Sequence, residues 1–333
     1  MHVDGEVDAP EWDAFVRRTE GGTFAHLSAW GPVFRDMGHT TTYLTARSGN
    51  EIVGVLPLVK FTTLLFGSRY VSVPYLNDGG PIGSPAGVEA LLKHACQLAQ
   101  RAAVTMQLRT RVQRNSAATA SRKVTVLLPV PDTPDELWSK LPSKLRSQVR
   151  RPQKAGLTVR FGHTELASFY SVWSHNMRDL GTPVLPRRFF DAALAALPSE
   201  CLVGCVYSGD QPVAAGAGFL FRGEFEMTWA SSLRAWNRDA PNMLLYWEFM
   251  AQAIERGAST FNFGRCTAGE GTHRFKLQWG GNTVPLQWIE TGSAGGDGQP
   301  SSLARAVSTA WTRLPLPLSR VLGPVVARQL PWW

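Results

Sequence analysis

The stretch GCVYSGDQPVAAGAGFL at residues 204–220 decides the fold, because it joins two apolar runs through a Ser-Gly-Asp turn. This pattern is typical of a β-hairpin with a tight glycine-containing turn. The same pattern occurs earlier as TARSGNEIVGVLPLV at residues 45–59, and the two turn glycines are 160 positions apart (209 minus 49). The chain therefore contains an internal repeat.

Each hairpin is followed by the same series of elements. The first copy continues with RYVSVPY, a helix over 88–103 and the strand TMQLRT, and the second with EFEMTWASS, a helix over 242–257 and STFNFGR. Strands joined by a helical crossover run parallel, whereas hairpin strands run antiparallel. The sequence thus predicts an α/β protein made of two copies of one mixed sheet unit.

Composition indicates an ordinary folded protein and gives an expected compartment. Hydrophobic residues make up 44% of the 333 residues, and no apolar run reaches the about 18 residues that a membrane-spanning helix needs. The stretch MHVDGEVDAPEW carries acids where a secretory signal needs bases, so we expect a cytoplasmic protein. The four cysteines form neither a disulfide framework nor a zinc pattern, and no metal is expected.

Basic charge is concentrated in two segments of this chain of net charge +8. Between Pro134 and Arg160 there are seven bases and two acids, and Thr133 with Glu136 indicates a capped helix. We predict a first domain over 1–132, a basic linker helix over 133–152, a second domain over 153–290 and an amphipathic tail over 291–333. The tail has alternating arginine and apolar residues, so we expect it to pack on the first domain or to bind a membrane surface.

The segment FNFGRCTAGEGTHRFKLQWGG at residues 261–281 carries the predicted chemistry. Arg265, His273, Arg274 and Lys276 follow a buried strand and a glycine turn, which suits an anion or an oxyanion. Lys276 and Arg265 lie on either side of the glycine turn, so both could face one cleft, and we predict them as the catalytic cations. An alternative for Arg265 is a structural ion pair with Glu270 or Glu226.

Five motifs follow one another along the chain: GGTFAHLSAW (21–30), KLRSQVRRPQKAGL (144–157), FYSVWSHNMRDLGTPV (169–184), NMLLYWEFMAQAIERGA (242–258) and FNFGRCTAGEGTHRFKLQWG (261–280). In these motifs, and over nearly its whole length, the chain resembles the FemAB-like aminoacyltransferases, and most closely the subgroup associated with exosortase and exopolysaccharide loci. This family has two tandem GNAT-type acyltransferase domains and extends peptidoglycan bridges from aminoacyl-tRNA. The resemblance implies a phosphate contact for Arg178 and a place near the acyl group for Lys276. At WGPVFRD, Phe34 and Arg35 depart from the family's phosphate-binding lysine.

Other candidate substrate-binding residues have structural alternatives. Arg178 and Asp179 could form an ion pair at a helix end, and Tyr246 and Trp247 could be core residues instead of lining a channel. Asp179, His273, Glu226 and His175 are candidate bases, and no one of them is favoured. The predicted substrate-binding set is Arg178, Asp179, Arg146, Arg150, Tyr246, Trp247, Asn242 and His273; Arg146 and Arg150 would contact an RNA backbone or a pyrophosphate, or only solvent.

The predicted function is transfer of an aminoacyl or acyl group to an amine of a nucleotide- or lipid-linked cell-envelope precursor. No bound cofactor is expected, since the donor, aminoacyl-tRNA or acyl-CoA, would be a co-substrate. The first alternative is a CoA-dependent N-acyltransferase, although the expected pyrophosphate loop, SLRAWNRDAPN at residues 232–242, contains no glycine. The second is a non-catalytic envelope scaffold at the inner face of the plasma membrane.

Overall fold

The computed structural model describes residues 1–5, 8–63, 67–111, 122–291 and 302–330, which form two compact units. Unit 1 comprises residues 1–123, 285–299 and 326–333, and unit 2 comprises 124–284 and 300–325. The strands are β1 (His2–Asp4), β2 (Thr40–Ser48), β3 (Glu51–Thr63), β4 (Gly67–Val71), β5 (Ile82–Gly83), β6 (Thr105–Arg111), β7 (Lys123–Pro129), β8 (Leu157–Phe161), β9 (Cys201–Ser208), β10 (Gln211–Phe221), β11 (Glu224–Ser232), β12 (Thr260–Asn262), β13 (Cys266–Thr267) and β14 (Asn282–Thr291).

Helices separate these strands. They are α1 (Ala9–Arg18), α2 (Trp30–Asp36), α3 (Pro85–Arg101), α4 (Pro134–Lys140), α5 (Ser143–Lys154), α6 (Leu166–Asp179), α7 (Arg187–Ala196), α8 (Pro241–Glu255), α9 (Gly271–Leu277), α10 (Ser302–Trp311) and α11 (Leu316–Ala327). Among the residues described, no helix is both long enough and apolar enough to span a bilayer.

The repeat predicted from the sequence is present in both units. In unit 1, β2 and β3 form the first hairpin, and β4 pairs in parallel with β6 across α3. In unit 2, β9 and β10 form the second hairpin, and β11 pairs in parallel with β12 across α8. Gly49 and Gly209 have φ values of +60° and +57° in the two hairpin turns, a conformation that favours glycine. The predicted α/β fold, made of two copies of one mixed sheet unit, is confirmed.

Each central helix buries one face against its sheet. In α3 this face is Leu91, Ala95 and Ala99, which are spaced four residues apart and pack with strand residues of unit 1. The corresponding helix α8 buries Leu245 and Phe249 in the core of unit 2. Helical periodicity therefore fixes which side of each helix faces the sheet.

The predicted linker helix is two helices that belong to the core of unit 2. Pro142 cannot donate a backbone hydrogen bond and holds Leu141 in an extended conformation, so α4 ends at Lys140 and α5 begins at Ser143. Thr133 caps α4 as expected, its hydroxyl accepting a hydrogen bond from the Glu136 backbone at 3.2 Å. Pro152 lies inside α5, which continues to Lys154. The buried residues Leu137, Leu141, Leu145 and Val149 lie in the same hydrophobic cluster as α8.

The tail also differs from the prediction. Residues 302–325 belong to unit 2 and not to the first domain, whereas 326–330 belong to unit 1. Arg320 donates a hydrogen bond from Nε to the Ser174 hydroxyl of α6 at 2.8 Å, and Gly323 packs directly on Val184. Residues 292–301, at the start of the predicted tail over 291–333, lie outside the described residues.

Candidate functional site

Lys276 is the most unusual side chain of the predicted site, because it is a lysine with only 5% of its surface exposed. It lies in the last turn of α9, and its Nζ donates hydrogen bonds to the backbone oxygens of Gly264 at 2.7 Å and Arg265 at 3.0 Å. Burial lowers the pKa of Lys276 to about 8, partly opposed by the nearby Cys266 and Glu226 and reinforced by Arg265. Two of its three N–H bonds are thus used by the backbone turn.

A buried polar network holds that turn in place. Gly264 has a φ of +70°, and its N–H donates to the Asn262 side-chain oxygen at 2.9 Å. The same oxygen accepts a hydrogen bond from the Thr125 hydroxyl on β7, and Asn262 Nδ2 donates to Glu226 Oε2 at 3.2 Å. The buried carboxylate, amide and hydroxyl therefore fix the two carbonyls that hold Lys276.

Thr125 and Asn262 are not among the site residues predicted from the sequence. Both residues are buried polar side chains in strands whose neighbours are apolar, such as Phe261 and Phe263 on either side of Asn262. A polar residue at an inward position of a strand is the signal that could have identified Asn262. Thr125 carries no local signal, since it joins the network only through strand pairing.

Arg265 follows the turn and is half-buried. Burial lowers its pKa to about 10, and the nearby Glu226 carboxylate acts in the opposite direction. Of the two acids considered for an ion pair, Glu226 is therefore the one whose charge acts on Arg265. Lys276 and Arg265 lie close together, because Lys276 Nζ donates to the Arg265 carbonyl and the charge of Arg265 acts to lower the pKa of Lys276.

His273 and Arg274 contact the backbone of a second glycine turn, at Gly269. The ring of His273 accepts a hydrogen bond from Gly269 N–H at Nδ1, and its Nε2 lies 2.8 Å from the Thr283 hydroxyl. Arg274 donates to the Gly269 carbonyl at 2.7 Å and is exposed. Both ring nitrogens of His273 are therefore engaged in structural contacts.

Tyr246 and Trp247 pack as core residues. The Tyr246 ring is stacked on Phe263 and meets the edge of Phe275, with centroid distances of 5.7 and 5.0 Å, and burial raises its pKa. Trp247 lies edge-on to Trp138 at 4.7 Å. Both side chains therefore make the contacts expected of core residues and not of residues that line a channel. Tyr246 nevertheless packs on Phe275, the residue before Lys276.

Asn242 is the second residue of α8, and its position is distinctive. Its side-chain oxygen is buried and has no hydrogen-bond partner among the described residues. A buried acceptor without a donor is costly, so such a group is expected to gain free energy when a ligand supplies an N–H or O–H.

Arg178 and Asp179 are brought together as an ion pair at the end of α6. Arg178 Nε donates to Asp179 Oδ1 at 2.7 Å, and Nη1 donates to the Leu314 carbonyl of the tail at 2.9 Å. His175 lies 3.7 Å from the other oxygen of Asp179. Arg178 thus forms the ion pair with Asp179 that was the structural alternative for it. Its Nη2 makes no hydrogen bond that is seen among the described residues and could donate to a further acceptor.

Arg146 and Arg150 lie on the outer side of α5. Arg146 donates at 3.3 Å to the Ser139 carbonyl, and the guanidinium of Arg150 lies 5.3 Å from the centroid of the Trp138 ring. Arg150 is exposed and Arg146 is half-buried. A single helix over 133–152 would place Lys140, Lys144 and Arg151 on one face, but Lys140 is the last residue of α4 and the other two lie on α5.

Comparison with known protein families matches one part of the chain. Residues 139–277, which include Arg265 and Lys276, match the acetyltransferase (GNAT) domain family. No curated protein matches the chain.

Three solved structures share the fold. FemX has a TM-score of 0.64 at 16% identity, covering 85% of this chain and 95% of its own. The C-terminal domain of a putative lysylphosphatidylglycerol synthetase from Agrobacterium fabrum has a TM-score of 0.58 at 13% identity, and the match covers 91% of this chain and 96% of that domain. A tandem GNAT protein from the clavulanic acid biosynthesis pathway has a TM-score of 0.54 at 10% identity, and the match covers 88% of this chain and 99% of that protein. The chain therefore has the tandem GNAT fold, and the match of residues 139–277 to the acetyltransferase (GNAT) domain family supports a transferase.

Proposed function

We propose that the protein transfers an aminoacyl or acyl group to an amine of a cell-envelope precursor. The observation that carries this proposal is the buried Lys276, which is fixed by two backbone carbonyls within the matched GNAT domain. A buried cation that is held rigidly is well suited to stabilise the negative oxygen of a tetrahedral intermediate. The FemAB resemblance supports acyl transfer, and the solved structure named for lysylphosphatidylglycerol synthesis supports an envelope acceptor.

The proposed reaction uses the residues in separate roles. The acceptor amine attacks the carbonyl carbon of the donor, and the ammonium of Lys276 donates its remaining N–H bond to the oxyanion as it forms. The intermediate then collapses: the bond from the carbonyl carbon to the leaving oxygen of aminoacyl-tRNA, or the sulfur of acyl-CoA, breaks, and the new amide bond remains. The proton released by the attacking amine passes to the leaving oxygen or sulfur. Arg265 adds a second positive charge beside it. The Asn262–Glu226 pair acts as positioning residues, because it orients the turn that holds Lys276. Arg178 remains the predicted phosphate contact of the acceptor, through its Nη2 group.

The donor is proposed to be aminoacyl-tRNA in preference to acyl-CoA. CoA binding of the GNAT type needs backbone N–H groups that point at the pyrophosphate from a helix N-terminus. Here α8 begins with Pro241, which has no N–H, and the preceding Arg234–Asp239 segment forms a 3-10 helix without glycine. A CoA-dependent N-acyltransferase remains the second candidate, because residues 139–277 match an acetyltransferase family. The match to an enzyme family gives no support to the non-catalytic scaffold.

The acceptor is proposed to be a nucleotide- or lipid-linked precursor of peptidoglycan or exopolysaccharide. A protein that uses such an acceptor would work in the cytoplasm, at the inner face of the plasma membrane. Membership of the exosortase-associated subgroup stays part of this proposal.

Binding of the two donor classes to the purified protein tests the proposal. We expect aminoacyl-tRNA to bind, with an affinity that falls steeply as salt is raised, and acyl-CoA to bind at least about tenfold more weakly. Acyl transfer to a soluble amine analogue of the acceptor should then depend on the bound donor. Tight acyl-CoA binding with no aminoacyl-tRNA binding would select the second candidate, and no transfer from either donor would overturn both.

A further inference from the structure

Helix α11 has an apolar face that the described residues of the protein leave uncovered. Leu318, Val321, Leu322 and Val325 are 43%, 69%, 40% and 66% exposed. Their spacing of three, four and seven places them on one side of the helix. Contiguous apolar surface of this kind is unusual on a folded protein and marks an interaction site.

The orientation of α11 is fixed by its opposite face. Ser319 and Ala327 are buried, and a Cβ added at Gly323 would lie 2.8 Å from a methyl carbon of Val184. Arg320 adds hydrogen bonds to the Ser174 hydroxyl and to the Ser171 carbonyl of α6. Because these contacts hold the inner face, the apolar stripe is directed away from unit 2.

The sequence on either side of the stripe carries charge of one sign. From Leu303 onwards the sequence carries four arginines and no acid. Arg313 is exposed shortly before α11, and Arg328, also exposed, follows Val325 by three positions. An apolar stripe flanked by arginines is the pattern of helices that lie in the interface of an anionic bilayer.

We propose that this face of α11 docks on a membrane surface that contains anionic lipid. The two-fold contact of a second copy is disfavoured, because an isologous interface would bring the arginines of both copies together. An anionic headgroup layer instead matches the positive charge while the acyl boundary accepts Leu318, Val321, Leu322 and Val325. The proposal goes beyond acyl transfer, since it involves none of the residues assigned to that reaction.

The test uses the full chain and sedimentation with lipid vesicles. We expect binding to phosphatidylcholine vesicles that contain phosphatidylglycerol, and binding at least about tenfold weaker to phosphatidylcholine alone or at high salt. The double variant Val321→Ser/Val325→Ser should lose at least about tenfold in affinity for the anionic vesicles. The matched control Val321→Leu/Val325→Leu keeps the apolar surface and should bind like the original chain.

The opposite results are equally clear. Equal binding by the serine and leucine variants, or no binding of the original chain to anionic vesicles, would overturn the proposal. A dimer in solution that the serine variant converts to a monomer would assign the face to self-association instead. Transfer to a soluble acceptor should be the same in all three proteins, so a failure of the membrane proposal leaves the proposed reaction intact.

Discussion

At the residue scale, Lys276 combines burial with a charge. Burying an ammonium group costs free energy unless it is paired, and here the compensation comes from two backbone carbonyls and the charge of Glu226. The nearby Arg265 acts in the opposite direction. An apolar side chain of similar volume at this position would stabilise the fold as much as the buried, paired ammonium group does. The arrangement is therefore better explained by chemistry than by folding.

Replacing Lys276 by methionine keeps most of the buried stem and removes the charge. We expect kcat for acyl transfer to fall by about 100- to 1000-fold, the effect of losing one oxyanion donor. The Gly264 and Arg265 carbonyls lose a donor, so the free energy of unfolding should fall by no more than about 1–3 kcal/mol. Steady-state kinetics and urea unfolding measure the two effects, with the exposed Lys140→Met as control. A fully active variant would remove Lys276 from the mechanism.

The lowered pKa of Lys276 predicts a pH dependence. Because the protonated form is the donor, kcat should fall as the pH rises through about 8, and Lys276→Arg should move this limb to higher pH. Between pH 8 and the ordinary value of 10.5 the unfolded chain binds this proton more tightly than the folded chain. The free energy of unfolding should therefore increase with pH over that window, and urea titrations at several pH values check it. A descending limb unchanged in Lys276→Arg would contradict the assignment.

At the element scale, the turn between β12 and β13 depends on one side chain. Asn262 satisfies the Gly264 N–H, the Thr125 hydroxyl and the Glu226 carboxylate at once. We expect Asn262→Leu to lower the free energy of unfolding by about 1–3 kcal/mol and to lower kcat more than it raises KM, since Lys276 would lose its orientation. The control Asn237→Leu lies in the 3-10 helix before α8, and it should leave kcat unchanged. A change in KM alone would indicate a substrate contact instead of a positioning role.

The packing of α11 on unit 2 depends on close approach at Gly323. A side chain there would meet backbone and methyl atoms of Val184 at 2.8–3.2 Å. We expect Gly323→Val to displace the helix and to lower the free energy of unfolding by about 1–3 kcal/mol. Limited proteolysis should then cut within residues 302–325 faster than in the exposed control Val325→Ala. Equal cleavage rates in both variants would show that the contact is dispensable.

At the scale of the whole molecule, the two units are not contiguous in sequence. Residues 285–291 belong to unit 1 and form most of β14, in which Glu290 accepts a hydrogen bond from Gln107 and Trp288 packs against Arg109. A fragment ending at residue 132, the predicted domain boundary, lacks these partners and leaves the edge of β6 without β14. We expect this fragment to show no cooperative unfolding transition by circular dichroism, whereas residues 124–325 should unfold cooperatively. A cooperative transition in the 1–132 fragment would contradict the division.

The sequence by itself determined the duplicated hairpin, the central helices α3 and α8, and the glycine turn beside Lys276. Those features depend on local periodicity and turn chemistry, which neighbouring residues specify without reference to the rest of the chain. Only the tertiary structure decided that Asn262 and Thr125 support Lys276, that Arg178 pairs with Asp179 and the Leu314 carbonyl, and that the tail packs on α6. These contacts join residues up to 149 positions apart. Local sequence preference carries no information about partners at that separation, because they meet only when the strands and helices pack.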